Sequence, residues 1–76
     1  MKNYPRKYAC VKHPVVEALR AARKENNIRQ DVLSLDLGYH PETISRWERG
    51  YKFPSFTALK NWCDALNCEL VVRPRA

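Results

Sequence analysis

Apolar residues recur along this 76-residue chain at three- and four-residue intervals, in four blocks separated by short polar or glycine-bearing breaks. Val15, Val16, Leu19, Ala22 and Arg23 share one face of a first helix running from Pro14 to about Asn26. Pro14 suits its first position, where a missing N–H costs nothing, and Asn26-Asn27 ends it. Arg20, Lys24 and Glu25 fall towards the other side. A second helix spans Gln30 to Leu37, with Val32, Leu33, Leu35 and Leu37 as its apolar positions, and Asp31 near its positive end. Gly38 stops it, because glycine reaches positive φ without a Cβ clash. A third helix is expected to open at His40-Pro41, with His40 as cap, and to end at Gly50; Ile44 and Trp47 face inward. Ser55 caps a fourth helix reaching Leu66, with Phe56, Leu59, Trp62, Cys63 and Leu66 as its stripe and Asn67 as its stop.

The chain ends divide differently. Cys68 to Pro74 is short, β-branched and closed by proline, which reads as a strand. A weaker alternation, Tyr8 to Lys12, marks a possible N-terminal strand. The expected organisation is a basic arm or strand at 1–13, a helical domain at 14–67, and a strand with a basic tail at 68–76. A lone strand needs a partner, and either the N-terminal segment or the same strand of a second subunit can supply it.

Charge changes the picture less than its total suggests. The formal net charge is +6, but six of the fourteen basic residues lie in the two ends: Lys2, Arg6, Lys7, Lys12, Arg73 and Arg75. The remaining eight are balanced by the eight acidic residues. Affinity for a polyanion must then come from one face of the helices or from the ends. Cys10, Cys63 and Cys68 form no CxxC pair and the two histidines are far apart, so neither a metal site nor a disulfide framework is indicated. Reduced thiols in a cytoplasmic protein are the simpler reading. No apolar run suits a membrane span or a signal peptide. No nucleophile elbow or phosphate-binding glycine loop is present, and the core must occupy most of so short a chain. Neither an enzyme nor a cofactor is expected.

Helices two and three, joined across Gly38, make a helix-turn-helix, whose second helix can enter a DNA major groove. Gln30, Gly38, Ile44, Ser45, Trp47, Glu48, Gly50 and Pro54, and above all the run TISRWERG from Thr43 to Gly50, resemble the phage repressor and Cro-like DNA-binding family. The resemblance covers roughly residues 15–67. It implies a mainly α fold, the lambda-repressor-like four-helix domain, here with a C-terminal β-strand in place of a fifth helix. It also implies that Gln30 bonds a DNA phosphate and that His40, Pro41, Glu42 and Arg46 point into the major groove. Arg46 can bond guanine O6 and N7 together; Glu42 either accepts from a cytosine amino group or simply favours the positive helix end. Pro41 offers only apolar contact, and His40-Pro41 departs from the family's commoner small polar cap. Thr43 and Ser45 carry hydroxyls for phosphate or base, while Arg29, Arg49, Tyr51 and Lys52 would lie near the phosphate backbone. Arg23 and Glu48 match an ion pair between the first and third helices of family members. Trp47 belongs to the core, and Trp62 to the core or a dimer contact.

One such unit reads only a few base pairs, so a homodimer on a palindromic operator is expected, with Leu70, Val71 and Val72 as its interface. The expected function is a transcriptional regulator, a repressor of bacterial, prophage or phage origin. The terminal strands also resemble those of some DNA-binding antitoxins, which leaves an autoregulating antitoxin with a toxin partner as the alternative. A protein-interaction module that has lost DNA binding is a third.

Overall fold

The computed structural model describes residues 13–75, in which four helices enclose one core. They are α1 (Pro14–Glu25), α2 (Gln30–Asp36), α3 (Thr43–Glu48) and α4 (Phe56–Ala65). The arm or strand expected before His13, with Cys10, lies outside the described residues.

All four helices stop in the same way. After α1 the amides of Asn27 and Ile28 donate to the carbonyls of Lys24 and Arg23; after α2 those of Gly38 and Tyr39 donate to Leu35 and Ser34. Gly50 and Tyr51 donate to Trp47 and Arg46 after α3, and Asn67 and Cys68 to Asp64 and Cys63 after α4. Each is a Schellman closure, which needs one left-handed residue just past the helix. Gly38 and Gly50 sit there at φ 84° and 82°, and Asn27 and Asn67 at 55° and 56°. Every break located in the sequence is therefore a break of the same geometry.

The starts vary. Pro14 opens α1 behind His13, whose carbonyl accepts from Glu17 N at 2.9 Å. Ser55 Oγ caps α4 by accepting from Ala58 N at 3.1 Å. α3 begins later than its sequence suggests. His40, Pro41 and Glu42 form a turn, with Thr43 N–H donating to His40 O at 3.0 Å, and Glu42 is the N-cap at φ −93°, ψ 0°. His40 is thus not the cap, and Pro41 is not helical. The physical reason is the turn itself: Glu42 N–H is taken by His40 Nδ1 at 3.1 Å, which holds the chain in a tight bend.

At seven and six residues, α2 and α3 are too short to persist alone and depend on packing. Val16 and Leu19 of α1, Leu33 of α2, Ile44 and Trp47 of α3, and Ala58, Leu59, Trp62 and Cys63 of α4 form the core with Leu66. Trp47 and Trp62 lie tilted at 5.6 Å between centroids, and Tyr39 meets Trp47 edge-on at 5.5 Å. Both tryptophans are scaffold.

Three apolar positions expected to face inward do not. Val32 and Leu35 are exposed, because α2 turns Leu33, Ser34 and Leu37 towards α3 and the core instead. Phe56 is 69% exposed at the first position of α4, before its inner face begins, and Ala58 fills the inward place. Residues 68–75 show no regular secondary structure. Leu70 leans on the core, while Val71 and Val72 point outward. No strand can be assigned there, since a ladder needs a second strand and none is present among the described residues.

Candidate nucleic-acid interface

α3 is held from below by charge and from behind by a hydroxyl. Glu48, on its last turn, has a side chain only 1% exposed. Arg23 of α1 meets it with two parallel bonds, Nε to Oε2 at 2.6 Å and Nη2 to Oε1 at 2.9 Å. The fork's remaining nitrogen, Nη1, donates to Ile28 O at 2.7 Å. Gln30 Nε2 adds a bond to Glu48 Oε1 at 2.9 Å, and Arg20 Nε stands 3.7 Å from the same oxygen. The expected pairing of Arg23 with Glu48 is present, and it extends to the start of α2.

Ser34 was not singled out in the sequence. Fully buried on α2, its Oγ donates to Gln30 O at 2.9 Å and accepts from Ile44 N at 3.0 Å. Amides in a first helical turn have no partner within the helix, so Ser34 caps α3 from a neighbouring element. A serine among leucines, four residues after Gln30, is the sequence trace of this contact. Nothing in spacing alone separates it from an exposed serine.

With its base fixed, α3 projects as a ridge between two open grooves. Glu42, Ser45 and Arg49 line the first, of about 590 Å³, with Arg29, Gln30, Asp31 and Pro41 from across the turn. Thr43 and Arg46 line the second, of about 270 Å³, with Lys52 and Ser55 on its rim and Tyr39, Trp47 and Phe53 in its walls. Positions 42, 45 and 49 form one row of the helix and 43 and 46 the next, so one short helix serves both. The first groove mixes two arginines with two carboxylates; the second holds Arg46 and Lys52 and no acid. The second groove is therefore the more cationic of the two, with Lys52 beside an Arg46 that also stands 3.7 Å from the Glu42 carboxylate.

The structure places the base-reading candidates together: His40, Pro41, Glu42 and Arg46 are all exposed at the front of α3. It divides the phosphate candidates between the grooves, with Gln30, Arg29, Ser45 and Arg49 on one side and Thr43 and Lys52 on the other. Tyr51 lies between Arg49 and Lys52 in the exit loop, with the Arg49 guanidinium 4.9 Å above its ring. Two candidates are already engaged. Gln30 is half-buried and tied to Glu48, and Arg29 forks onto Asp31 at 3.1 and 2.7 Å. In the sequence Asp31 shows only as a helix-end charge. The Arg29 hydrogen bond holds its carboxyl below the usual carboxylate range, with Val32 N–H assisting.

The helix-turn-helix family model matches residues 19–72, which span α2, α3, α4 and most of α1, and the chain belongs to that family. The comparisons with curated proteins and with solved structures found no match to this chain. Family membership supports a DNA-binding regulator. Among the described residues, no helix is long and apolar enough to cross a membrane.

Proposed function

We propose that this chain is a sequence-specific regulator of transcription, a repressor that occludes a promoter by binding double-stranded DNA as a homodimer. The observation that carries the reading is the exposed ridge of α3 between two cation-bearing grooves, locked at its base by Glu48. A B-DNA major groove is about 12 Å wide and walled by two phosphate backbones, which a helix with an arginine-bearing groove on each flank matches. Arg46, Glu42, His40 and Pro41 meet base edges; Arg49, Ser45, Gln30 and Arg29 serve one backbone, and Thr43, Tyr51 and Lys52 the other. The chain does no covalent chemistry in this reading.

Val71 and Val72, 55% and 94% exposed, favour a second copy as the cover of the tail. Pairing two extended tails would supply the missing ladder and set two α3 ridges for half-sites about 34–36 Å apart.

Salt titration of duplex binding tests the reading. Each phosphate neutralised contributes about −0.9 to the slope of log affinity against log salt. Lys52→Ala should flatten that slope by about one and weaken all sequences alike, while Arg46→Ala should relax one base position. Binding to no duplex, at any salt, would refute it. Val71→Asp should sediment as a monomer; an unchanged dimer moves the interface elsewhere.

A further inference from the structure

Glu42 is an oddity on a face that is to meet phosphates, since a carboxylate there is repelled by the ligand. Three observations say what it does. First, although Glu42 is the N-cap of α3, its side chain makes no capping bond. A capping oxygen usually accepts from the second or third amide of the helix. Here the second, Ile44 N–H, is already held by Ser34 Oγ at 3.0 Å. Second, the Glu42 backbone is pinned on both sides: its N–H donates to His40 Nδ1 and its carbonyl accepts from Arg46 N at 3.0 Å. Third, its carboxylate turns outward to Arg46, with Oε1 3.7 Å from Nη2 and both side chains about three-fifths exposed. An exposed pair of this kind contributes little to stability, so folding does not explain it.

Resting on the DNA-binding reading above, we propose that Glu42 and Arg46 act as one unit that reads a single oriented G·C pair in each half-site. The major-groove edge of that pair presents, in order, guanine N7 and O6 as acceptors and cytosine N4 as a donor. Arg46 offers two parallel donors, and Glu42, joined beside it, offers the acceptor. O6 and N4 are themselves hydrogen-bonded across the pair, about 2.9 Å apart, against 3.7 Å between Nη2 and Oε1 on two exposed side chains that are free to adjust. Arginine has five N–H donors, so it can hold both guanine and the carboxylate. An A·T pair puts a donor where Arg46 needs an acceptor, and a C·G pair reverses the order. Glu42 is thereby a specificity-determining residue: it lowers affinity for DNA in general and restores it at one base pair.

The test is selection from a randomised duplex pool with the full chain, followed by affinities for the selected site and its single-pair variants. The wild type should select one invariant G·C pair per half-site and bind its C·G or A·T replacement about ten- to a hundredfold more weakly. Glu42→Ala and Arg46→Ala should relax that same pair, and the double variant should lose little more than either single one. Glu42→Ala should bind an unrelated duplex as tightly as the wild type or more so. Glu42→Gln, which keeps the shape and an acceptor oxygen, should retain the preference at a reduced ratio, which covers the case of an alanine variant that folds poorly. Relaxation of two different pairs, additive losses, or an unchanged selection profile in Glu42→Ala would overturn the proposal while leaving DNA binding intact. A wild type that binds no duplex would overturn the functional reading first, and the proposal with it.

Discussion

Glu48→Gln is the sharpest probe of what orients α3. The substitution keeps the shape and removes the charge from a side chain 1% exposed, leaving the Arg23 guanidinium, 9% exposed, with amide dipoles in place of a carboxylate. Removing one partner of a buried ion pair costs about 3–5 kcal/mol. The amide oxygen can still accept the two bonds that Oε1 now takes, from Arg23 Nη2 and Gln30 Nε2, so the lower end of that range applies. At about 0.05–0.15 kcal/mol per residue a chain this long has roughly 4–11 kcal/mol in total, so the variant loses a large share of it. Each kcal/mol moves the midpoint of so small a domain by about 4–8 °C, so Tm should fall by at least roughly 12 °C. Helical circular dichroism against temperature and urea reads both quantities. The complementary arm removes the charge altogether. Arg23→Met with Glu48→Leu strands no ion and should recover most of the loss, because a buried pair is often no more stabilising than apolar residues of similar volume. A loss below about 1 kcal/mol in Glu48→Gln would refute the reasoning, as would a double variant no more stable than that single one; either result means that solvent reaches the pair.

Ser34→Ala should cost about 1–3 kcal/mol in urea unfolding, since it leaves the buried Ile44 amide without the acceptor now 3.0 Å away. Gly38→Ala should cost about 1–2 kcal/mol for conformational reasons alone: φ is 84°, yet a Cβ there would meet nothing within 4 Å. A larger loss would point to a clash that the structure lacks. Burial pushes the Cys63 thiol above its ordinary value. The folded state then holds a proton that the unfolded chain releases once pH passes the ordinary thiol value, so this contribution to stability is complete below that value and falls as pH rises beyond it. Alkylation of Cys63, followed by peptide mapping, should stay slow at pH 8.5 in the native protein and become fast in urea.

Helix breaks were the most legible feature of the chain, because each depends on one residue able to reach positive φ. Asn27, Gly38, Gly50 and Asn67 are such residues, and each sits where a Schellman closure forms. The broad faces of α1 and α4 were legible from their period, and the Arg23–Glu48 pair from resemblance to a family. The inner face of α2 was not. In seven residues a period of 3.6 turns only twice, so Val32 and Leu35 look as inward as Leu33 until α3 is in place. Phe56 misled for a related reason, being apolar at a helix start where no neighbour covers it. The start of α3 depended on a side chain, His40, bonding its own backbone, which hydropathy does not register.

By itself, then, the sequence determined four helices, their stops and most of the core, because these depend on local backbone preference and on periodicity, while the grouping of His40, Pro41, Glu42 and Arg46 on one face was implied by the family resemblance. Tertiary structure alone decided that Ser34 caps α3 from outside, that Gln30 turns towards Glu48, and that Arg46 with Lys52 faces one groove while Arg49 faces the other. The first two are contacts between residues 10 and 18 positions apart along the chain. Their geometry follows from how short helices settle on a shared core, and no local preference encodes it.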